Sequence, residues 1–327
     1  MITFSVVAQD IHFSQYQASP LLLNSSNTGS FEGDYRFGIN YRNQWSSFIK
    51  PFVTTSGFFD KLIKKELLGN DYLGVGLALF SDNAGTAEFN TQSAFGSLSY
   101  HKKLDSEGKQ MVSLGFQGGI VQKGLNYDNL KFGNQYESAF FNPDLESKEN
   151  YSNLNIAYPE LHAGIGWHYN FSEMLNFNAG FSMFNINAPK ETFLGAEDNY
   201  LNTRMSLTLG ADYVYDDRLM ISPGVLFTGQ TKAYEYLLGA TMAYTVKDIP
   251  LLNVVALMGI WYRSTDAIIL VPGIQYNNYR FGLSYDVNIS SLSNATGGRG
   301  ALEMSLIYIF NMNPKLGIKR SVPCKRL

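Results

Sequence analysis

Between Tyr279 and Ile289 apolar and polar positions alternate without a break: Tyr279, Phe281, Leu283, Tyr285, Val287 and Ile289 are interleaved with Arg280, Gly282, Ser284, Asp286 and Asn288. Successive side chains on a β-strand point to opposite faces, so such a segment has one oily and one polar side. Tyr35, Phe37, Ile39 and Tyr41 repeat the pattern against Asp34, Arg36, Gly38, Asn40 and Arg42, and Leu73, Val75, Leu77 and Leu79 repeat it against Gly74, Gly76 and Ala78. The segment Ala301–Phe310 sets Leu302, Met304, Leu306, Tyr308 and Phe310 on one face and ends on an aromatic ring, as the closing strand of an outer-membrane barrel does.

Period-2 segments bounded by turn residues predict about fourteen strands, at 34–43, 52–59, 71–80, 91–101, 109–123, 156–169, 174–186, 202–213, 219–230, 233–246, 253–264, 267–276, 279–289 and 300–310. The number is even, as in bacterial single-chain barrels. A strand of about ten residues, rising roughly 3.3 Å per residue and tilted about 40°, covers about 25 Å, the height of an outer-membrane apolar band. The pattern therefore predicts an all-β chain, a transmembrane antiparallel up-and-down β-barrel with its oily face against lipid.

Some segments break the rhythm. Ala94–Tyr100 changes phase near Gly96, and Leu251–Ile260 is apolar on both faces, as a bulge or an apolar patch on the lumen would produce. Pro223 and Pro272 fall inside predicted strands, where each removes a ladder donor. Connections fall into two sets, as barrels with short periplasmic turns and longer external loops require. Asn170–Glu173, Val214–Arg218, Lys247–Leu252 and Asn277–Asn278 make the periplasmic set, while Gly124–Asn155 and Asn187–Leu201 belong to the external one. Asp60–Asn70 reads as a short amphipathic periplasmic helix.

Composition supports a lipid-facing exterior: of 327 residues only 16% are charged and 14% are aromatic, with 21 Tyr and 23 Phe. No apolar run reaches the roughly 18 residues that a membrane helix needs. A net charge of −3 with scattered Lys and Arg argues against a nucleic-acid partner. The lone cysteine, Cys324, excludes an internal disulfide. Met1–Ala8 reads as the remnant of a secretory signal with the mature chain starting near Gln9, followed by a periplasmic segment 9–33, a barrel 34–310 and a basic periplasmic tail 311–327.

Candidate chemistry is sparse. His162 and His168 share one predicted strand face but lie about 20 Å apart, too far to hold one metal; no nucleophile elbow, phosphate loop, dinucleotide fingerprint or Cys-x-x-Cys occurs. The pattern thus predicts no enzyme and no cofactor. Inward charges are more telling: Asp34, Arg36 and Arg42 on the first strand, with Arg280 and Asp286 on the penultimate one, are expected near each other across the barrel seam. They read as a compensated charge ladder or as a docking or gating site. Leu306, Tyr308 and Phe310 are the candidate assembly signal on the closing strand.

The opening Gln9–Tyr16, then Pro20-Leu-Leu-Leu-Asn24, Gly33-Asp-Tyr-Arg36 and Asn40–Trp45, resembles the PorP/SprF family of the Bacteroidetes type IX secretion system. Gly74–Phe80, Phe132–Tyr136, Trp261-Tyr-Arg263, Asp266-Ala-Ile268, Phe281–Asp286 and Gly297-Gly-Arg-Gly300 are similar to its later blocks, in order. The chain departs from the family pattern at Asn24-Ser-Ser-Asn27 and at Pro323-Cys324-Lys325. The resemblance implies a non-enzymatic outer-membrane barrel that assists export or surface retention of proteins with a type IX C-terminal sorting domain, gliding adhesins among them. Its implied partners are lipid, secreted cargo and other subunits of the secretion or gliding machinery. The competing reading is a passive channel for small solutes or hydrophobic compounds.

Overall fold

The computed structural model describes residues 13–46, 50–64, 68–85, 88–126, 130–137, 140–142, 144–146, 155–193, 199–249, 252–291 and 293–312. Expectations for residues 1–12 and 313–327, the signal remnant, His12 and Cys324 among them, lie outside the described residues. Fourteen antiparallel strands close into one barrel, each paired with its neighbours in sequence. In chain order they are β1 Tyr35–Gln44, β2 Phe52–Ile63, β3 Tyr72–Ala84, β4 Phe89–Lys103, β5 Gln110–Gly124, β6 Asn155–Asn170, β7 Leu175–Phe184, β8 Arg204–Val214, β9 Leu219–Gln230, β10 Ala233–Ile249, β11 Leu252–Arg263, β12 Ala267–Tyr276, β13 Tyr279–Asn288 and β14 Arg299–Phe310. A two-stranded hairpin, Tyr136–Glu137 with Phe140–Phe141, sits in the external loop between β5 and β6. Among the described residues no helix is long and apolar enough to cross a membrane.

The seam pairs β1 with β14 in register, Tyr35 opposite Phe310 and Arg42 opposite Glu303. Phe37, Ile39 and Tyr41 are exposed on the outside while Arg36, Asn40 and Arg42 are buried inside. Rings gather where strands end on the periplasmic side: Tyr279 stacks on Tyr308 at 4.5 Å, and Phe310 lies 6.3 Å from Tyr35. Such a girdle marks the lipid–water boundary. The tight β12–β13 turn is set by Asn277, at φ 51°, a left-handed conformation that asparagine tolerates. Leu306 lies mid-strand on the lipid face of β14, so Leu306→Arg is expected to cost about 2–4 kcal/mol, measured as a lower temperature for loss of the heat-modifiable folded band.

Three expectations change. β2 runs on to Ile63, so the first residues of the expected 60–70 helix are strand, and Asp60 points into the lumen opposite Arg36. β4 keeps one phase through Gly96, because Phe95 is a lumen-facing ring in an internal apolar cluster rather than a sign of slippage. Register shifts fall instead at Thr245/Lys247 and Tyr285/Val287. The third concerns residues 9–33, placed on the periplasmic side by sequence: residues 13–33 run down inside the barrel towards the periplasmic end, a largely polar segment matched to a polar wall. Pro223 and Pro272 do sit in strands, and pairing skips a step beside each, between Gly210 and Tyr213 of β8 and between Leu270 and Gly273 of β12.

Candidate functional site

Residues 13–33 form a plug of short turns. A 3-10 turn, Tyr16–Ala18, leads to a single helical turn, Pro20–Leu23, whose proline occupies the first position, where no backbone N–H is needed. Asn24 then caps a second 3-10 turn, Ser25–Asn27, by accepting from the Ser26 amide at 2.9 Å. The same side chain donates to the carbonyls of Ile165 on β6 and Phe181 on β7, at 3.1 and 3.3 Å. Leu21 is fully buried among Phe58, Ala78, Phe95, Val121 and Tyr158, and Tyr16 meets Trp261 edge-on at 5.4 Å.

The wall is moulded to this plug by inward glycines. A Cβ on Gly74 would stand 2.1 Å from the Thr28 carbonyl oxygen, one on Gly115 2.2 Å from the Ser25 carbonyl carbon, and one on Gly164 2.0 Å from Asn24 Oδ1. At these three positions backbone lies directly on the plug. Around Thr28, the His101 ring is fully buried, with Nε2 2.7 Å from the Thr28 carbonyl and Nδ1 2.7 Å from Ser113 Oγ.

Two charged clamps hold the ends. At the upper end the Glu303 carboxylate accepts from the amides of Ser14 and Gln15, at 2.8 and 3.0 Å. The Ser14 hydroxyl donates to Asp286 at 2.7 Å and accepts from Arg42 and from Arg263, the latter at 2.8 Å. Arg42 pairs with Asp286 and Glu303, each at 3.2 Å, and Arg263 with Asp286 at 2.9 Å. All four charged side chains are almost fully buried, so each depends on the others for what water would supply. At the lower end Arg36 holds Asp60 at 2.8 Å and donates to the Asn27 carbonyl, while Asp60 accepts from the Gly29 amide at 2.7 Å. The Phe31 ring covers that guanidinium at 4.7 Å.

Of the five charges picked from sequence, the structure brings Arg42 and Asp286 together and separates the rest. Arg36 belongs to the lower clamp. Arg280 donates to Gln275 at 2.9 Å and lines a separate cavity of about 180 Å³ beside Asn178 and Asp212. Asp34 lies at the periplasmic rim, accepting from the Met312 amide at 2.7 Å. Sequence reasoning missed Glu303, Arg263, Asp60 and Ser14. The signal for Glu303 was present, since it is the one charge on the inner face of the closing strand. Leu306, Tyr308 and Phe310 lie on the outer side of β14, as the alternation predicts. Among the described residues no three His, Cys, Asp or Glu are grouped as metal ligands.

Above the plug a bowl of about 830 Å³ opens towards the external loops. It is floored by Phe13, Tyr16 and Leu22 and walled by aromatic side chains of several strands.

Solved structures with the same architecture include the toluene transporter TbuX of Ralstonia pickettii (9% identity, 90% of this chain and 94% of that one, TM-score 0.51). The CymD monoaromatic hydrocarbon channel (11%, 90% and 93%, 0.53) and the toluene transporter TodX of Pseudomonas putida (10%, 88% and 92%, 0.52) are similar to the same degree. At such identity the likeness establishes the barrel fold alone. A search of curated proteins found no match. The closed barrel and its apolar exterior, in a chain matched over nearly its whole length by a family of secretion-system membrane proteins, place the protein in the outer membrane. Residues 5–308, nearly the whole chain, match the family described as type IX secretion system membrane protein PorP/SprF, and the chain belongs to that family.

Proposed function

We propose that the protein assists export or surface anchoring of secreted proteins that carry a type IX C-terminal sorting domain, acting as an outer-membrane docking barrel rather than an open pore. The observation that carries this reading is the plug: a lumen occupied by the protein's own chain, clamped at both ends by buried ion pairs, is built for holding rather than for flow. External loops and the bowl form the face for the secreted partner, and the periplasmic turns and tail form the face for other subunits of the secretion or gliding machinery. Energy for export comes from that machinery, and no catalytic step is part of the reading.

The solute-channel reading draws on the hydrocarbon channels that share the fold, but the plug opposes it. Deleting the gene is expected to remove a set of proteins from the cell surface or the culture medium, read by mass spectrometry of both fractions. Unchanged secretion and gliding, with no redundant paralogue expressed, would overturn the proposal.

A further inference from the structure

We infer that the bowl above the plug is a binding pocket for an extended, uncharged peptide segment with an aromatic side chain, whose backbone carbonyls are taken up by the Trp45 indole and the Ser206 hydroxyl. This deepens the docking reading and rests on it. A volume of about 830 Å³ falls in the range of sites that enclose a ligand of a few side chains. Rings form an aromatic patch within a largely polar lining, with Phe13 set edge-on to Phe80 at 6.4 Å and Phe95 and Phe184 buried beside them. Edge-to-face and offset contacts make such a wall selective for another ring.

The polar groups decide between a peptide and a hydrocarbon. Ser206 is 2% exposed and its hydroxyl has no partner among the described residues; the same holds for the buried indole N–H of Trp45, and both residues line the bowl. A buried donor without an acceptor is unfavourable until something supplies one. Trp45 is held there with φ 59°, a left-handed backbone uncommon outside glycine, its ring edge-on to Phe52 at 5.0 Å. Strain of this kind persists where the surrounding structure fixes a side chain for use. A hydrocarbon offers such donors nothing, whereas a peptide offers carbonyls along with its side chains. Most charges in the wall already have partners, Lys123 with Glu191 at 2.8 Å, Asp266 with Arg263 at 3.0 Å and Asp82 with the Thr54 hydroxyl at 2.6 Å, so a neutral segment fits.

The test uses the full-length protein in detergent micelles with 15N-labelled tryptophan, the Trp45 indole signal being assigned by its loss in Trp45→Phe. Titration with the blocked tripeptide acetyl-Phe-Leu-Phe-amide is expected to move that signal downfield and to leave Trp167, on the lipid side of β6, in place. Phe80→Ala and Ser206→Ala are each expected to weaken binding about fivefold. The inference falls if toluene produces the same downfield shift, if the peptide leaves Trp45 unmoved at millimolar concentration, or if neither variant changes affinity. In cells, the Phe80→Ala/Ser206→Ala double variant is expected to secrete poorly. Normal secretion by that variant alongside a secretion defect in the gene deletion would sink the pocket and leave the docking reading standing; no defect in the deletion sinks the docking reading itself.

Discussion

Replacing Gly74 and Gly115 together by valine is expected to give a barrel that conducts in large, steady steps in planar bilayers, where the unaltered protein is expected to stay silent. Each new side chain enters space held by plug backbone, since even a bare Cβ would come within 2.1 Å of the Thr28 carbonyl oxygen and 2.2 Å of the Ser25 carbonyl carbon. Backbone cannot rotate aside as a side-chain tip can, so residues 24–29 must lift off the wall. Overpacking of this kind typically costs about 1–3 kcal/mol per site, set against a plug held by a few polar clamps and a handful of buried apolar residues, Leu21 foremost. Valine is a good strand residue, so β3 and β5 keep their own structure. Gly96→Val is the control: on the lipid face, its Cβ meets only the Gly118 carbonyl oxygen, at 3.9 Å. Gly96→Val should stay silent. A silent double variant that still shows the heat-modifiable mobility of a folded barrel would mean that the plug is not what closes the lumen.

Arg42→Ala is expected to free the upper end of the plug, raising amide hydrogen exchange at Ser14 and Gln15 by at least about 100-fold. Truncation leaves Glu303 buried without the cation that faces it, while Asp286 keeps only Arg263. Breaking a buried pair in this way costs about 3–5 kcal/mol, and every 1.4 kcal/mol is roughly tenfold in the population of the released state. Arg42→Lys keeps the charge but not the planar fork that reaches two carboxylates and a hydroxyl at once, so a smaller increase is expected. Exchange in β5, remote from the clamp, should not change. Equal acceleration everywhere would assign Arg42 to general barrel stability rather than to plug retention.

The barrel was legible because lipid and water impose opposite demands on alternate residues, and every predicted strand between 34 and 310 corresponds to an observed one. What misled was the interior. Phe95 is apolar on an inner face, and a two-state pattern of oil outside and water inside reads such a residue as a fault, although it packs inside the barrel; Val255 is the apolar lumen patch that the both-sided apolar run Leu251–Ile260 allowed. The plug was invisible for a related reason. Its Ser and Asn residues lack periodicity, and Pro20-Leu-Leu-Leu-Asn24 is too short to declare a partner. Its imprint lay instead on the wall, in the bare inner positions Gly74 and Gly76 of β3 and Gly115 of β5, small where a water-filled pore would carry polar side chains. Charge placement failed on height: Arg36 and Arg42 share a face but sit six residues apart, about 20 Å along the strand, so each finds a different partner.

Glu303 and Arg42 face each other across the seam where the ring shuts, and both grip Ser14. The last strand to leave the ribosome therefore carries the carboxylate that recognises the upper end of the plug. A cylinder that joined its edges around an empty interior would trap that carboxylate and Asp286 without two amides and a hydroxyl that now satisfy them. Closure and filling of the lumen are thus energetically coupled: the two edges gain most from zipping together when the N-terminal stretch already lies between them.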